Sequence, residues 1–311
     1  MSKVLLITGA TGNQGGAVID ALLAQKTDDI TILAVTRDAQ SASAKRLALK
    51  SPQIKLVQGN LDDVPALFTA ASEAASPSPI WGVYSVQISQ GRGVTLESEV
   101  AQGTALVDES IKRNVTHFVY SSVERGGDDA SWDAPTPVPH FQSKHAIEKH
   151  LRSATAAAGT SMSWTVLRPV AFMDNLQPGL PTKIFLTALR DQLGDKPMQW
   201  VAVADIGYFA ALAFSRPDEW KGRAVGLAGD ELTFNEMSGV FEKTTGYPVP
   251  TSYSFLGSTL TYMITEVNLM IGWFASDGYR ADIGKLRQVH PKLLNLETWL
   301  VKKSLFETKE Q

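Results

Sequence analysis

Nine residues near the start of the chain, Thr8-Gly9-Ala10-Thr11-Gly12-Asn13-Gln14-Gly15-Gly16, constrain its fold more than any other stretch. They follow the apolar run Val4-Leu5-Leu6-Ile7 and precede a segment that sets Ala17, Val18, Ala21 and Leu22 on one helical stripe. Strand, glycine-rich turn and helix in that order mark the place where backbone must turn tightly, approach a pyrophosphate and open a helix at once. Side chains there would block the phosphates. Gly9, Thr11, Gly12, Asn13, Gln14 and Gly15 are therefore candidate cofactor contacts. The bland reading of the same residues is a glycine-rich turn with no ligand.

The rest of the first half repeats the rhythm. Short runs rich in β-branched and aromatic residues at 4–8, 30–36, 54–58, 82–86, 117–121 and 164–167 predict strands. Longer segments at 13–25, 43–49, 64–75, 97–113 and 143–158 between them predict helices. Such alternation predicts the α/β class: a Rossmann-type doubly wound parallel sheet with helices on both faces. Proline-rich pieces at 76–79 and 135–139 read as loops, the second a candidate lid. After about Pro169 the alternation fades, with helices predicted at 205–214, 233–245, 259–274 and 296–306. The expected organisation is a dinucleotide-binding domain over 1–169 and a smaller C-terminal α+β lobe over 170–311, with some segments returning to the sheet.

The end of the second strand bears on which dinucleotide is expected. NAD-selective sites place a carboxylate there to accept the ribose 2'-OH, whereas this chain has Arg37, followed by Asp38. A guanidinium pairs bidentately with a 2'-phosphate and gains far less from a neutral hydroxyl, so Arg37 points to NADP(H). A solvated surface arginine is the alternative. After the third strand, Asn60 and Leu61 are placed to flank an adenine, although a plain turn fits them equally.

Composition narrows the function classes. A formal net charge of −3 gives no global pull toward nucleic acid or anionic membrane, so neither is expected as a direct partner. Absence of cysteine excludes disulfides, thiolate metal sites and cysteine nucleophiles and makes a reducing compartment the simplest setting. The five histidines show no ligand spacing with carboxylates, so no metal is expected. Met1 leads straight into a strand without the basic flank of a signal peptide, and the apolar stretch at 260–274 is too short and too polar to span a membrane. A cytoplasmic protein is expected, as monomer or homodimer.

The glycine-rich turn, together with Val138-Pro139-His140-Phe141-Gln142-Ser143-Lys144, Leu167-Arg168-Pro169 and Val203-Ala204-Asp205-Ile206-Gly207, resembles the NmrA-like family of atypical short-chain dehydrogenases across nearly the whole chain. The resemblance implies an extended Rossmann fold with NADP(H) in the turn. It also implies a function among redox-sensing regulators, reductases and isomerases. In ordinary short-chain dehydrogenases a serine after the fifth strand and a Tyr-x-x-x-Lys pair transfer the proton. Here Ser121 or Ser122 matches the hydroxyl and Lys144 the ammonium, which also implies a ribose contact, but His140 stands in the tyrosine position. A neighbouring ammonium favours neutral imidazole, a poor proton donor, unless a substrate anion or a carboxylate restores the imidazolium. A loop histidine packed on nearby backbone is the competing reading for His140.

Strand ends in a Rossmann sheet face the nicotinamide end of the cofactor. Val86 and Gln87 are expected to touch it, and Tyr84, Trp132, Phe172, Met173 and Asn175 to line a substrate pocket, with plain core as the alternative for the aromatic and methionine side chains. The functional expectation is an NADP(H)-dependent reductase or cofactor-assisted isomerase acting on a bulky apolar small molecule of specialised metabolism. The alternative is an NADP(H)-sensing protein that binds a protein partner without turnover.

Overall fold

A computed structural model of the chain describes residues 3–25, 29–89, 91, 93–157, 159–257 and 265–309. The chain divides into two compact units that interleave along the sequence. The first comprises Met1–Ser122, Ser143–Arg168 and Ile206–Val225, the second Val123–Gln142, Pro169–Asp205 and Gly226–Gln311. One crossing of the chain between the units falls between Arg168 and Pro169. Segments 123–142 and 206–225 each belong to the unit opposite the one that a single cut would give them.

In the first unit, strands β1 (Lys3–Ile7), β2 (Ile30–Thr36), β3 (Ile54–Gln58), β4 (Ile80–Ser85) and β5 (His117–Ser121) alternate with helices α1 (Asn13–Ala24), α2 (Ala42–Ala48), α3 (Val64–Ala75) and α4 (Leu96–Lys112). The chain then passes through the second unit, which holds α5 (Ala130–Asp133) and the first residues of helix α6 (Pro139–Ala156), and returns along α6 to β6 (Ser163–Pro169). These strands pair in parallel, with Leu5 opposite Ile32, Ile7 opposite Tyr84, Tyr84 opposite Val119 and Val119 opposite Thr165. The inner strands are buried nearly end to end, as covering on both faces requires.

The sheet carries a strand that sequence periodicity does not announce. A later strand β9 (Arg223–Leu227) joins the edge beside β6, giving the seven-stranded order β3-β2-β1-β4-β5-β6-β9. Hydrogen bonds from Gly222 N–H to Trp164 O (2.7 Å) and from Val170 N–H to Leu227 O (3.1 Å) run in the same sense, so this pair too is parallel. The order reverses between β1 and β4, the switch point at which open α/β sheets hold their ligands. Leu6, Leu33, Val83, Phe118 and Val166 of the sheet pack with Phe68, Leu106, Val107 and Ile147 from the helices.

The helix expected to begin at Ser143 begins at Pro139 instead. Proline punctuates loops, but at the first helical position its missing N–H costs nothing, because no intrahelical partner exists there. The preceding segment is anchored by contacts of its own. Arg125, 1% exposed, donates to the carbonyls of Val123 (2.8 Å) and Ser131 (2.6 Å), and Val138 is buried in the core of the second unit.

The second unit contains β7 (Ala171–Phe172), a 3-10 turn (Met173–Asn175), α7 (Leu180–Leu193) and β8 (Met198–Val201). Helix α8 (Val203–Ser215) begins here and continues into the first unit, where α9 (Pro217–Trp220) follows it. The second unit resumes with β10 (Asp230–Leu232), α10 (Phe234–Thr245), α11 (Thr265–Ser276), α12 (Ile283–Val289) and α13 (Leu296–Lys302). Strands β10, β8 and β7 form a small mixed sheet, antiparallel between β10 and β8 and parallel between β8 and β7. Its core gathers Phe141, Met173, Trp200, Phe241, Trp273, Phe274 and Trp299. Each such side chain, fully buried, contributes about 2–3 kcal/mol.

Helices α7 and α12 and the short strands of this unit are not predicted by periodicity. The helix expected over 296–306 stops at Lys302, and of the one expected over 259–274, residues 259–264 lie outside the described residues. Gly207 of the Val-Ala-Asp-Ile-Gly motif has a packing role, since a Cβ there would lie 2.3 Å from the Ala17 carbonyl oxygen of α1.

Candidate functional site

Thr8 directly follows β1 and fixes the turn. Its backbone N–H donates to Tyr84 O (3.0 Å), and its hydroxyl oxygen accepts the Val86 N–H (2.9 Å) and lies 3.1 Å from the Tyr84 and Val86 carbonyls. The turn is thereby tied to the end of β4 across the switch point. Gly9 takes a left-handed φ of 61°, where a Cβ would also come 2.8 Å from Val86 Cγ1. A Cβ on Gly15 would come 2.4 Å from Gly9 O. Both positions thus demand glycine for the turn to lie against the start of α1.

The start of that helix is bare. Gly12 is the N-cap, no side chain caps it, and no acidic residue occupies the first turn. Gly9, Thr11, Gly12 and Asn13 are exposed. The first-turn N–H groups of a helix lack intrahelical partners, and the helix dipole favours negative charge beside them. The donor set, the missing side chains and the missing carboxylate all suit a pyrophosphate.

Arg37 follows β2 and is exposed. The carboxylate of the adjacent Asp38 accepts the Gln40 N–H at 2.8 Å. Nearby, hydrogen bonds from Gln102 and then Asn60 hold the Asp62 carboxyl below its usual range, and the Arg37 charge adds to that effect. The Asn60 side-chain amide is therefore spent on Asp62 (2.8 Å), while Leu61 packs against the core of the first unit. At the end of β4, Gln87 is 5% exposed and donates to Ser85 Oγ (2.9 Å), and its Oε1 is a buried acceptor with no hydrogen-bond partner among the described residues.

The neighbouring serines part company. Ser121 donates to Gln14 Oε1 at 2.6 Å, and the buried Tyr84 hydroxyl donates to the same oxygen at 3.4 Å. Ser122 instead donates to Glu148, which is paired with Arg168 through Nε (3.1 Å) and a terminal nitrogen (2.7 Å), all three side chains being buried. Lys144 lies against the buried Glu99 at 2.8 Å, and the other oxygen of that carboxylate accepts from Ser143 at 2.5 Å. The first unit thus holds the glycine turn, Arg37, Asn60, Leu61, Tyr84, Val86, Gln87, both serines and Lys144.

Trp132, His140, Phe172, Met173 and Asn175 belong to the second unit. With α6 beginning at Pro139, His140 and Lys144 stand four residues apart on one helix. One partner of His140 is a carboxylate, its Nδ1 lying 2.5 Å from Glu266 Oε1. The ring also packs edge-on against Phe141, which in turn meets Trp273 edge-on. Met173 is wholly buried in the core of this unit, Phe172 and Trp132 are half-buried, and Asn175 is exposed.

Glu99, Glu148 and Glu266, which decide where Lys144, Ser122 and His140 point, escape a reading of the sequence. Glu148 alone leaves a trace, a charged residue beside Ile147 on a helix face that otherwise packs inward. Among the described residues no group of His, Asp or Glu is placed to hold a metal ion, and no helix is long and apolar enough to cross a membrane.

Known proteins share this architecture. A protein of Dictyostelium discoideum with an NmrA-like domain is 26% identical over 287 residues, covering 89% of this chain and 89% of its own length. The NmrA-like oxidoreductase lnbB of Aspergillus flavus is 26% identical over 259 residues, covering 78% of this chain and 74% of its own. Among solved structures, triphenylmethane reductase of Citrobacter sp., crystallised with NADP(H), superposes with a TM-score of 0.70 at 17% identity over 97% of this chain and 99% of its own. NmrA, a negative transcriptional regulator crystallised with NADP, gives 0.69 at 17% identity over 97% and 95%. The sequence profile of the NmrA-like family matches residues 1–295, and the chain belongs to that family.

Proposed function

We propose that this chain binds NADP(H), with the pyrophosphate on the turn from Gly9 to Gly15 and the 2'-phosphate on Arg37. In this reading it acts as an oxidoreductase that reduces or isomerises a bulky, largely apolar small molecule of specialised metabolism. The bare helix start behind a turn that requires glycine at positions 9 and 15 carries the proposal. The oxidoreductase name of the Aspergillus flavus relative and the NADP(H) in the Citrobacter reductase crystal support it. When bound, the nicotinamide supplies the hydride. The chain's part is to orient cofactor and substrate and to move the proton. His140, with Nδ1 against Glu266 Oε1, is the proposed proton donor. Lys144 is the proposed ribose contact, held in place by Glu99.

The test is spectrophotometric. Purified protein with NADPH and a panel of carbonyl and imine compounds should consume the reduced nicotinamide with at least one of them, and His140→Asn should slow that turnover more than it weakens cofactor binding. A second reading, an NADP(H)-sensing regulator, draws on a specific observation: Ser121, Ser122 and Lys144 all face protein partners. It predicts no consumption with any compound and a protein partner captured in only one cofactor state.

A further inference from the structure

Gln14 joins the glycine turn to two strand ends, and that junction supports an inference that rests on the proposed NADP(H) site. We propose that Ser121 and Tyr84 are positioning residues for the cofactor, locking the Gln14 amide so that its NH2 group donates to an acceptor oxygen of the bound dinucleotide. Ser121 is then a cofactor-side residue rather than the hydroxyl that meets substrate.

The geometry supplies the argument. Gln14 is the second residue of α1, directly after the exposed Gly12 and Asn13, so its backbone is fixed by the turn. Ser121 ends β5 and Tyr84 lies one residue from the end of β4, on the strands next to and beyond the switch point. Both hydroxyls converge on the single oxygen Oε1, at 2.6 and 3.4 Å. Ser121 and Tyr84 are 1% and 0% exposed, so neither hydroxyl has bulk water as an alternative partner.

Burial pushes the Tyr84 phenol well above its ordinary range, which keeps it protonated and able to donate at any working pH. With the amide oxygen accepting from both hydroxyls, the NH2 group is the end of the side chain that faces away from them. The NH2 group is then directed away from β4 and β5 and seeks an acceptor. Gln14 is only partly buried, and beside it the unpaired N–H groups of α1 favour an anion. The acceptor chemistry is a phosphate oxygen of the diphosphate or the carbonyl of the nicotinamide carboxamide.

A double-mutant cycle read by calorimetry tests this with two probes, NADPH and 2'-phospho-ADP-ribose, the melting temperature of each variant confirming that it folds. Ser121→Ala should weaken NADPH binding about 5–10-fold, and Tyr84→Phe, with its longer bond, about 2–3-fold. Gln14→Ala should cost at least as much as Ser121→Ala, and in that background the serine substitution should add less than about twofold. An equal loss for both probes assigns the acceptor to the diphosphate, and a loss confined to NADPH assigns it to the carboxamide; each supports the proposal. Unchanged affinity in Ser121→Ala, or the same loss with and without Gln14, overturns it while leaving the cofactor site standing. Wild-type protein that binds neither probe overturns the cofactor site and this inference together. Should Ser121→Ala fail to fold, Tyr84→Phe carries the same cycle.

Discussion

Ser121 and Ser122 are consecutive, chemically identical and almost equally buried, yet they do opposite things. Successive side chains along an extended segment point to opposite faces, so one hydroxyl turns toward α1 and the glycine turn while the other turns toward α6. On the first side the partner is Gln14, a neutral amide at a partly exposed helix start. On the second it is the carboxylate of Glu148, whose charge is matched by Arg168 with neither side chain exposed. The first side is arranged to receive something and the second is closed on itself, so the family's Leu-Arg-Pro motif reads as a structural tie and its glycine motif as a site.

The closed side gives the largest expected effect. Glu148→Ala leaves the Arg168 guanidinium buried without its counter-charge and should cost about 3–5 kcal/mol of folding stability by denaturant titration. Ser122→Ala, which removes the bond to Glu148 and leaves the ion pair, should cost about 1–2 kcal/mol. A loss under 1 kcal/mol for Glu148→Ala would break the contrast.

The opposite end of β5 extends the comparison to acid. His117 is fully buried, its Nδ1 2.8 Å from Ser163 Oγ and its Nε2 3.1 Å from Thr165 Oγ1. Both hydroxyls also donate to backbone carbonyls, Thr165 to Trp220 O at 2.8 Å and Ser163 to Thr116 O at 3.0 Å. Burial first, and the Lys3 charge second, lower its pKa from 6.5 to about 4. As pH falls, the unfolded chain therefore takes up a proton before the folded one does. The stability linked to this group is complete above pH 6.5 and lost on the way to pH 4, about 3 kcal/mol over that window. Melting curves across this range should fall less steeply for His117→Gln than for wild type, and parallel curves would count against the burial argument.

A smaller effect belongs to the open side. Arg37→Ala should weaken NADPH binding about tenfold or more while changing NADH affinity less than about twofold. Equal losses for the two dinucleotides would mean that Arg37 supports the turn and does not read the 2'-phosphate.

How much of this was legible in the chain follows the same division. The central strands were visible because a doubly covered parallel sheet writes itself as continuous apolar runs, and the turn was visible because few other tasks place so many glycines between a strand and a helix. Strand β9, Arg-Ala-Val-Gly-Leu, and the seven-residue α12 are too short and too mixed to display a period. The start of α6 was misplaced because the same proline that ends loops also opens helices. Least legible were the partners of the polar side chains. Glu266 lies 126 residues from His140, and Glu99 lies 45 from Lys144, separations at which local pattern carries no information.

The most direct test of the account is a calorimetric titration of the wild-type protein with NADPH, paired with a melting curve at saturation. Binding at the glycine turn predicts saturable heat with one dinucleotide per chain and a melting temperature that rises with ligand concentration. No heat and no rise at saturating NADPH would contradict it, leaving the turn as a bend in an α/β fold.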